Sequence, residues 1–353
     1  MPARPSQRRT AEAIHRRTGR TFHLATRVLP PRARDPTHVL YAFFRVADEI
    51  VDDPDPESTS AQRRELESLR AQALGRIEPE GPVMRAFETI REEHALDDRE
   101  IETFLDAMAM DLSRSRYGTR ADLEAYMRGS AVAVAHLLCD VFAPDLDPDA
   151  RPRAAALAEA FQLTNFLRDV REDVRRYDRI YLPRAVLKRH GAAIEDVEAL
   201  RCTPAVAAAI ESELERTEER YREGVRGIEA LPEDVQFGVL LAAVLYAEHH
   251  RLIRRRGYDT LSSRPSLSRS RRLAVAARTW AHWRRSRDPE TVFEGVSAVP
   301  SMEGPTEPVR ESACRLSAVG SRAVASASVP SESIPSASGM LGRLRSYFGS
   351  GTG

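Results

Sequence analysis

Lysine is almost absent from this chain. Lys188 is the only one, so arginine carries nearly all the positive charge. The 53 basic residues balance 53 acidic ones, and a net charge of zero leaves no electrostatic footprint for nucleic acid. Cysteine is scarce too: Cys139, Cys202 and Cys314 lie far apart in no metal-ligand spacing, which fits reduced thiols in a cytosolic protein. No run of about eighteen apolar residues occurs, which excludes a membrane-spanning helix. The basic start M-P-A-R-P-S-Q-R-R-T has no apolar stretch after it, which argues against secretion. The expectation is a cytoplasmic protein, soluble or peripheral to a membrane. What is present is 42% hydrophobic and 30% charged residues with 6% aromatics, the makeup of an ordinary α-helical protein.

Apolar residues recur at helical spacing through most of the chain, and strand-like alternation is nearly absent. The periodicity predicts helices near 10–28, 36–53, 60–76, 81–95, 98–115, 120–142, 150–176, 203–229, 232–256 and 266–285. Proline punctuates them: Pro30-Pro31, Asp35-Pro36 as a cap, Pro54 and Pro56, and Pro144 through Pro152. The expected architecture is an all-α bundle over 1–288 with its site inside, between facing helices. From 289 to 353 a tail is expected, and its Ser/Ala/Pro/Gly-rich part at 297–339 reads as disordered. Removing 297–353 is therefore expected to leave activity intact. The closing M-L-G-R-L-R-S-Y-F reads either as a frayed end or as an amphipathic segment touching a membrane.

Two aspartate pairs stand out, Asp48/Asp52 in A-D-E-I-V-D-D and Asp169/Asp173 in N-F-L-R-D-V-R-E-D. The i,i+4 spacing puts both carboxylates of a pair on one helix face. Most such pairs merely belong to a solvated face. Here Asp48 and Asp52 follow the apolar L-Y-A-F-F-R-V-A, with Arg45 one turn before Asp48. Gln162, Asn165, Asp169 and Asp173 form a polar stripe on an otherwise apolar helix. Buried carboxylates need a counter-charge or a metal. Two such faces across a cavity make an oxygen cage for a divalent cation and a diphosphate, since Mg²⁺ takes oxygen ligands. Glu49, Asp53 and Glu172 lie off these faces. Asp53-Pro-Asp-Pro-Glu57 is no calcium loop, because it lacks the needed glycine. His249 and His250 are adjacent on a helix and point in different directions, so they read as surface or supporting residues and not as a zinc site.

The segments Y-A-F-F-R-V-A-D-E-I-V-D-D and Q-L-T-N-F-L-R-D-V-R-E-D-V-R-R-Y-D-R-I-Y-L-P resemble the two signature regions of the squalene/phytoene synthases. T-G-R-T-F at 18–22, R-Y-G-T-R-A-D-L-E-A-Y at 116–126, L-Y-A-E at 245–248 and R-G-Y-D at 256–259 agree with it, so the likeness runs from about Arg17 to Trp283. It implies an isoprenoid-synthase-like helical bundle with a central active-site cavity. The implied reaction is head-to-head condensation of two allylic prenyl diphosphates, with Mg²⁺ as the metal and Mn²⁺ able to substitute. The likeness leans to the phytoene-forming members, which join two geranylgeranyl diphosphates and need no NADPH. The rival reading is squalene or dehydrosqualene formation from farnesyl diphosphate. A non-catalytic prenyl-binding scaffold is a third, which degraded aspartate pairs would signal; both pairs are intact.

The resemblance carries roles onto individual residues. Asp48, Asp52, Asn165, Asp169 and Asp173 become metal ligands. Thr21, Tyr41, Arg45, Gln162, Arg168, Tyr246, Arg264 and Arg272 become diphosphate ligands, although the last two arginines sit in R-P-S-L-S-R-S-R-R among several competitors. Arg179 either closes over the phosphates or pairs with Asp178 or a neighbour. Tyr126 is implied to act in acid-base chemistry or to face a carbocation, and joins Arg45, Asp48 and Asp52 as catalytic. A packed tyrosine with its hydroxyl on backbone fits the sequence nearly as well, and only the resemblance favours the functional role. The stretch 130–135 reads S-A-V-A-V-A where relatives carry glycines, which favours a straighter helix or a narrower site.

Overall fold

Capping chemistry sets the borders of the elements. Ser58, Thr203 and Ser268 each accept a backbone N–H from the first turn of the helix they precede, and Thr119 with Asp122 forms a reciprocal capping box. The computed structural model describes residues 5–53 and 58–300. Among these residues the helices are α1 (Pro5–Thr18), α2 (Arg20–Thr26), α3 (Pro31–Val51), α4 (Thr59–Ala73), α5 (Gly81–Glu93), α6 (Asp98–Asp111), α7 (Arg120–Met127) and α8 (Val134–Phe142). The second half adds α9 (Arg151–Tyr177), α10 (Arg184–Arg189), α11 (Ile194–Glu198), α12 (Pro204–Val225), α13 (Glu233–Arg255), α14 (Arg269–Ser286) and α15 (Pro289–Val296). No strand forms among the described residues; the one β-type contact is a bridge between Arg116 and Ile180. No described helix is long and apolar enough to cross a membrane.

At 27 residues α9 is the longest element, about 40 Å from end to end. It contributes to three apolar clusters. Leu163 and Phe166 join the core made by α3, α5, α6 and α8, where Phe43 stacks on Phe87 at 4.0 Å. Leu157 and Ala160 pack with α12, α13 and α15. Leu167 and Val170 pack with α10, α11 and the start of α12. This triple packing makes α9 the spine that fixes the second aspartate pair.

Several borders differ from the periodicity reading. The helix expected at 10–28 breaks at Gly19, where an added Cβ would meet the Tyr41 ring and hydroxyl at 2.7 Å. Asp35-Pro36 is not a cap: α3 starts at Pro31, whose fixed φ suits the first helical position, and Pro36 lies inside. α10 and α11 were not expected, because five or six residues hold too little periodicity to read. The stretch 120–142 is neither one helix nor straightened by its missing glycines; Arg128–Ala133 widens into a π turn. There α6 presses on Gly129, whose Cβ would strike the Thr103 carbonyl and the Ala107 side chain. The helical body also runs past Asp288, since α15 buries Val292 and Phe293 and Asp288 caps it. Beyond it, Val299 is buried and Arg254 donates to the Ala298 carbonyl. The rest of the expected tail, from 301 on, including the closing amphipathic segment, lies outside the described residues, as does Cys314. Cys139 and Cys202 are free thiols.

Candidate active site

The steps from Tyr41 to Arg45, Asp48 and Asp52 keep these residues on one face at the end of α3. Asp52 follows the helix and donates its N–H to the Asp48 carbonyl at 2.9 Å. Arg45 reaches Asp48 at 3.5 Å and Glu49 at 3.3 Å. The Asp48 side chain keeps 45% of its surface accessible. Desolvation by the surrounding protein and the charge of Asp52, against the pull of Arg45, push its carboxyl up to about 7. Across from it, α9 presents Gln162, Asn165, Asp169 and Asp173. Burial, with Asp169 and Glu172 adding repulsion, drives the Asp173 carboxyl well above the usual range. Asp52 bears on Asp173 too, so the two walls feel one another.

Asp169 behaves oppositely. Burial alone would raise its carboxyl, but Arg168 at 2.6 Å and Arg264 at 2.6 Å grip it and hold it below the ordinary value. Two of the expected diphosphate arginines therefore sit on an aspartate, positioned at the mouth but paired. The Tyr246 hydroxyl meets Arg168, and its ring packs on Phe22 at 4.4 Å. Tyr41 bonds Thr18 and stacks on His15 at 4.0 Å. Thr21 is half-buried in the first turn of α2. Arg272 is half-buried in the first turn of α14, beside Arg271, which bonds Glu248 at 2.7 Å.

The chain leaving α9 turns back through Asp178 in the left-handed region (φ 51°), and Ile180 then bonds the Ser115 carbonyl at 2.9 Å. This return drops Arg179 between the walls, where it is 8% exposed and donates to Asp52 at 2.6 Å. It also reaches Asp111 at 3.9 Å. Asp178 pairs instead with Arg116 at 2.7 Å. The hydroxyl of Tyr126 donates to Asp111 Oδ2 at 2.8 Å, so it is not bonded to backbone. Burial pushes the Asp111 carboxyl up to about 6 against the pull of Arg179, and lifts the Tyr126 phenol well above its usual value. Phe166 stacks on Tyr181 at 3.9 Å, with Tyr126 and Tyr117 both within 6 Å of Tyr181. Sequence reasoning missed Asp111, Tyr117, Tyr181 and Phe166 as parts of this site. The available signal was Asp111 closing the apolar run A-M-A-M, the same pattern that singled out Asp48.

Gln162 and Asn165 also line one end of an apolar cavity of about 230 Å³. Its walls include Phe22, Leu138, Ala154 and Val239, and the π turn supplies Ser130 and Ala131. A second, polar cavity of about 400 Å³ is lined by Asp52, Asp111, Arg175 and Arg179. The site thus has a charged mouth and a greasy interior. Asn165 Oδ1 is buried with no hydrogen-bond partner among the described residues. An orphaned oxygen beside carboxylates that resist ionisation is the donor set a hard dication satisfies. Asn165, Asp48 and Asp173 have the chemistry to hold such an ion, whereas Asp169 is taken up by Arg168 and Arg264 and Asp52 by Arg179. His249 and His250 are not surface residues: both are buried, and His250 bonds Glu218 and Thr164 at 3.0 Å.

Residues 15–271 match the sequence profile of squalene/phytoene synthase. The chain belongs to that family. It is 33% identical over 267 residues to a phytoene synthase of Rhodobacter capsulatus, covering 74% of this chain and 77% of that one. A phytoene synthase of Thermus thermophilus is 34% identical over 253 residues, 70% of this chain and 83% of the relative. Among solved structures, a dehydrosqualene synthase in complex with ligand superposes with a TM-score of 0.71 at 27% identity, covering 79% of this chain and 97% of that one. Squalene/phytoene synthases are prenyltransferases that use prenyl diphosphates and generally divalent metal ions. The arrangement found here, acids at the mouth and apolar walls behind, suits that chemistry.

Proposed function

We propose that this protein condenses two geranylgeranyl diphosphates head to head, through prephytoene diphosphate, to phytoene, releasing both diphosphates in carotenoid formation. The observation that carries this reading is Asn165, an orphaned oxygen on the metal wall that also lines the apolar cavity. Diphosphate and hydrocarbon tail thus meet at one residue. Asp48, Asp52, Asn165, Asp169 and Asp173 would hold Mg²⁺, or Mn²⁺ in its place, which would supply the positive charge that a departing diphosphate needs. Arg45, Arg168 and Arg264 stand at the same mouth and pair with phosphate oxygens as the carbon–oxygen bond breaks. Arg168 and Arg264 exchange Asp169 for phosphate when the substrate enters.

Loss of diphosphate leaves an allylic cation, which the double bond of the second molecule attacks. Proton loss closes the cyclopropane; a second ionisation, rearrangement and proton loss give a central conjugated triene, with the outer double bonds of both chains kept. The rings of Tyr126, Tyr181 and Phe166 face such cations with their negative faces. Tyr126 stays protonated and anchored by Asp111, which fixes its ring. The apolar walls exclude the water that would quench each cation to an alcohol.

Purified protein incubated with Mg²⁺ and either geranylgeranyl or farnesyl diphosphate, then extracted and analysed by mass spectrometry, tests this. A forty-carbon polyene with a central conjugated triene, formed from the longer substrate, is the expected result. A thirty-carbon product alone favours the dehydrosqualene-type reaction named by the superposed structure. No hydrocarbon from either substrate overturns the catalytic reading.

A further inference from the structure

Tyr41 links the diphosphate mouth to a second group of ligand-type side chains that the proposed reaction leaves unused. Its ring stacks on His15 at 4.0 Å. His15, His23 and His38, from α1, α2 and α3, form a triangle of imidazoles. Their centroids lie 5.0 Å (His15–His38), 5.5 Å (His15–His23) and 5.6 Å (His23–His38) apart. His15 Nδ1 and His38 Nδ1 share a proton at 2.9 Å. That contact leaves His38 its Nε2. His23 Nε2 and His15 Nε2 are buried with no hydrogen-bond partner among the described residues. One carboxylate oxygen of Glu12 and one nitrogen each of His23 and His38 lie within 4.8 Å of one another.

Two buried imidazoles, His15 and His38, packed against half-buried His23 with idle nitrogens are costly unless something accepts their lone pairs. Burial holds all three rings below their usual value, His15 at about 3 and His38 at about 4. They are therefore neutral at physiological pH, the form that binds metal. We propose that Glu12, His23 and His38 form a site for a transition-metal dication of the zinc class, with His15 holding the His38 ring from behind. Two imidazoles and a carboxylate are a zinc donor set with one position left for water, whereas magnesium prefers oxygen. Donors on a tetrahedral zinc sit roughly 3.4 Å apart, so the three close inward on binding, and exposed Glu12 is free to swing. The metal would pin α1 and α2 to α3 behind Tyr41. The His15–His38 bond is the kind of outer contact that orients a ligating histidine.

The test uses the full chain, stripped of metal, in saturating Mg²⁺ so that the aspartate walls are filled. Titration with Zn²⁺ by calorimetry is expected to show one tight site and a raised melting temperature. Co²⁺ in its place is expected to give the intense visible bands of a tetrahedral complex. His23→Gln, at a half-buried position, is expected to weaken Zn²⁺ binding by roughly 10–100-fold, and His15→Gln to weaken it within the same range. His38→Ala serves as a second ligand variant where it folds. Absence of Zn²⁺ binding at micromolar concentration overturns the proposal. So does Zn²⁺ binding that survives His23→Gln but is lost in Asp48→Ala, because it puts the ion in the aspartate cage.

Discussion

The buried acids of this protein fall into two groups with opposite surroundings. Glu218 is met by His250 at 3.0 Å and Arg254 at 2.5 Å, Glu248 by Arg271 at 2.7 Å and Arg251 at 3.1 Å. Burial alone would raise the Glu100 carboxyl, yet His136 and Arg128, both at 2.7 Å, hold it at about 2. Each of these frame acids has two cationic or titratable partners. At the mouth the balance reverses for three acids, Asp169 with its two arginines being the exception: Asp48 and Asp111 are pushed up to about 7 and about 6, and Asp173 well above its usual range. The fold neutralises the acids that only hold helices together, and leaves Asp48, Asp111 and Asp173 short of positive charge, as the proposed metal site requires. A strained carboxylate is therefore a better marker of this site than a buried one.

Removing a mouth acid tests the contrast most sharply. Asp48→Ala and Asp173→Ala are each expected to lower turnover by roughly 10²–10³-fold or more, with the melting temperature of the metal-free protein kept or raised. Near-normal rates in both variants refute the metal-ligand assignment. Glu218→Ala is expected to do the reverse, since it strands His250 and Arg254 in the interior. A loss of about 3–5 kcal/mol in denaturant unfolding is expected, with turnover per folded molecule retained. Glu100→Gln is a milder case with a pH signature. Its folded-state carboxyl lies below the unfolded value, so its stabilisation is fully present above about 4.5 and fades as pH falls toward 2. The gap between wild type and variant, on the order of 2 kcal/mol at pH 7, is expected to shrink steadily below pH 4 in urea titrations. The smallest effect belongs to truncation. Cutting after Pro300, which spares buried Val299, is expected to leave turnover within about two-fold.

The sequence carried the walls of the site further than its interior. Asp48, Arg45, Asn165 and Asp173 were legible because helical spacing alone places them on common faces, and long periodic helices such as α9 are the most readable elements. Tyr126 was found only through the resemblance. Its partner Asp111 was missed, because their contact joins α6 to α7 and no local spacing encodes it. Arg179 was readable as a motif residue but not in its role. Its position depends on a left-handed turn at Asp178, a residue type that only permits such a turn. The π turn at Arg128–Ala133 was invisible for a related reason: it reflects how closely α6 approaches Gly129, which is a tertiary fact. The hydrogen bonds that Arg168 and Arg264 make to Asp169 show the same limit, since charge type was legible but partner choice was not.

Ala150, Ala154 and Ala158 recur every four residues along the apolar cavity, with Asn165 at its polar end. From Ala150 to Asn165 the wall extends about 22 Å. A row of single methyl groups beside a tunnel works as a ruler whose marks are easily moved. On the proposed function, a phenylalanine at Ala158 is expected to stop an incoming tail early, and one at Ala150 to trim only its tip. If the prenyl tail lies along this wall, product length is expected to be adjustable by one substitution at a time, without disturbing the charged chemistry at the other end.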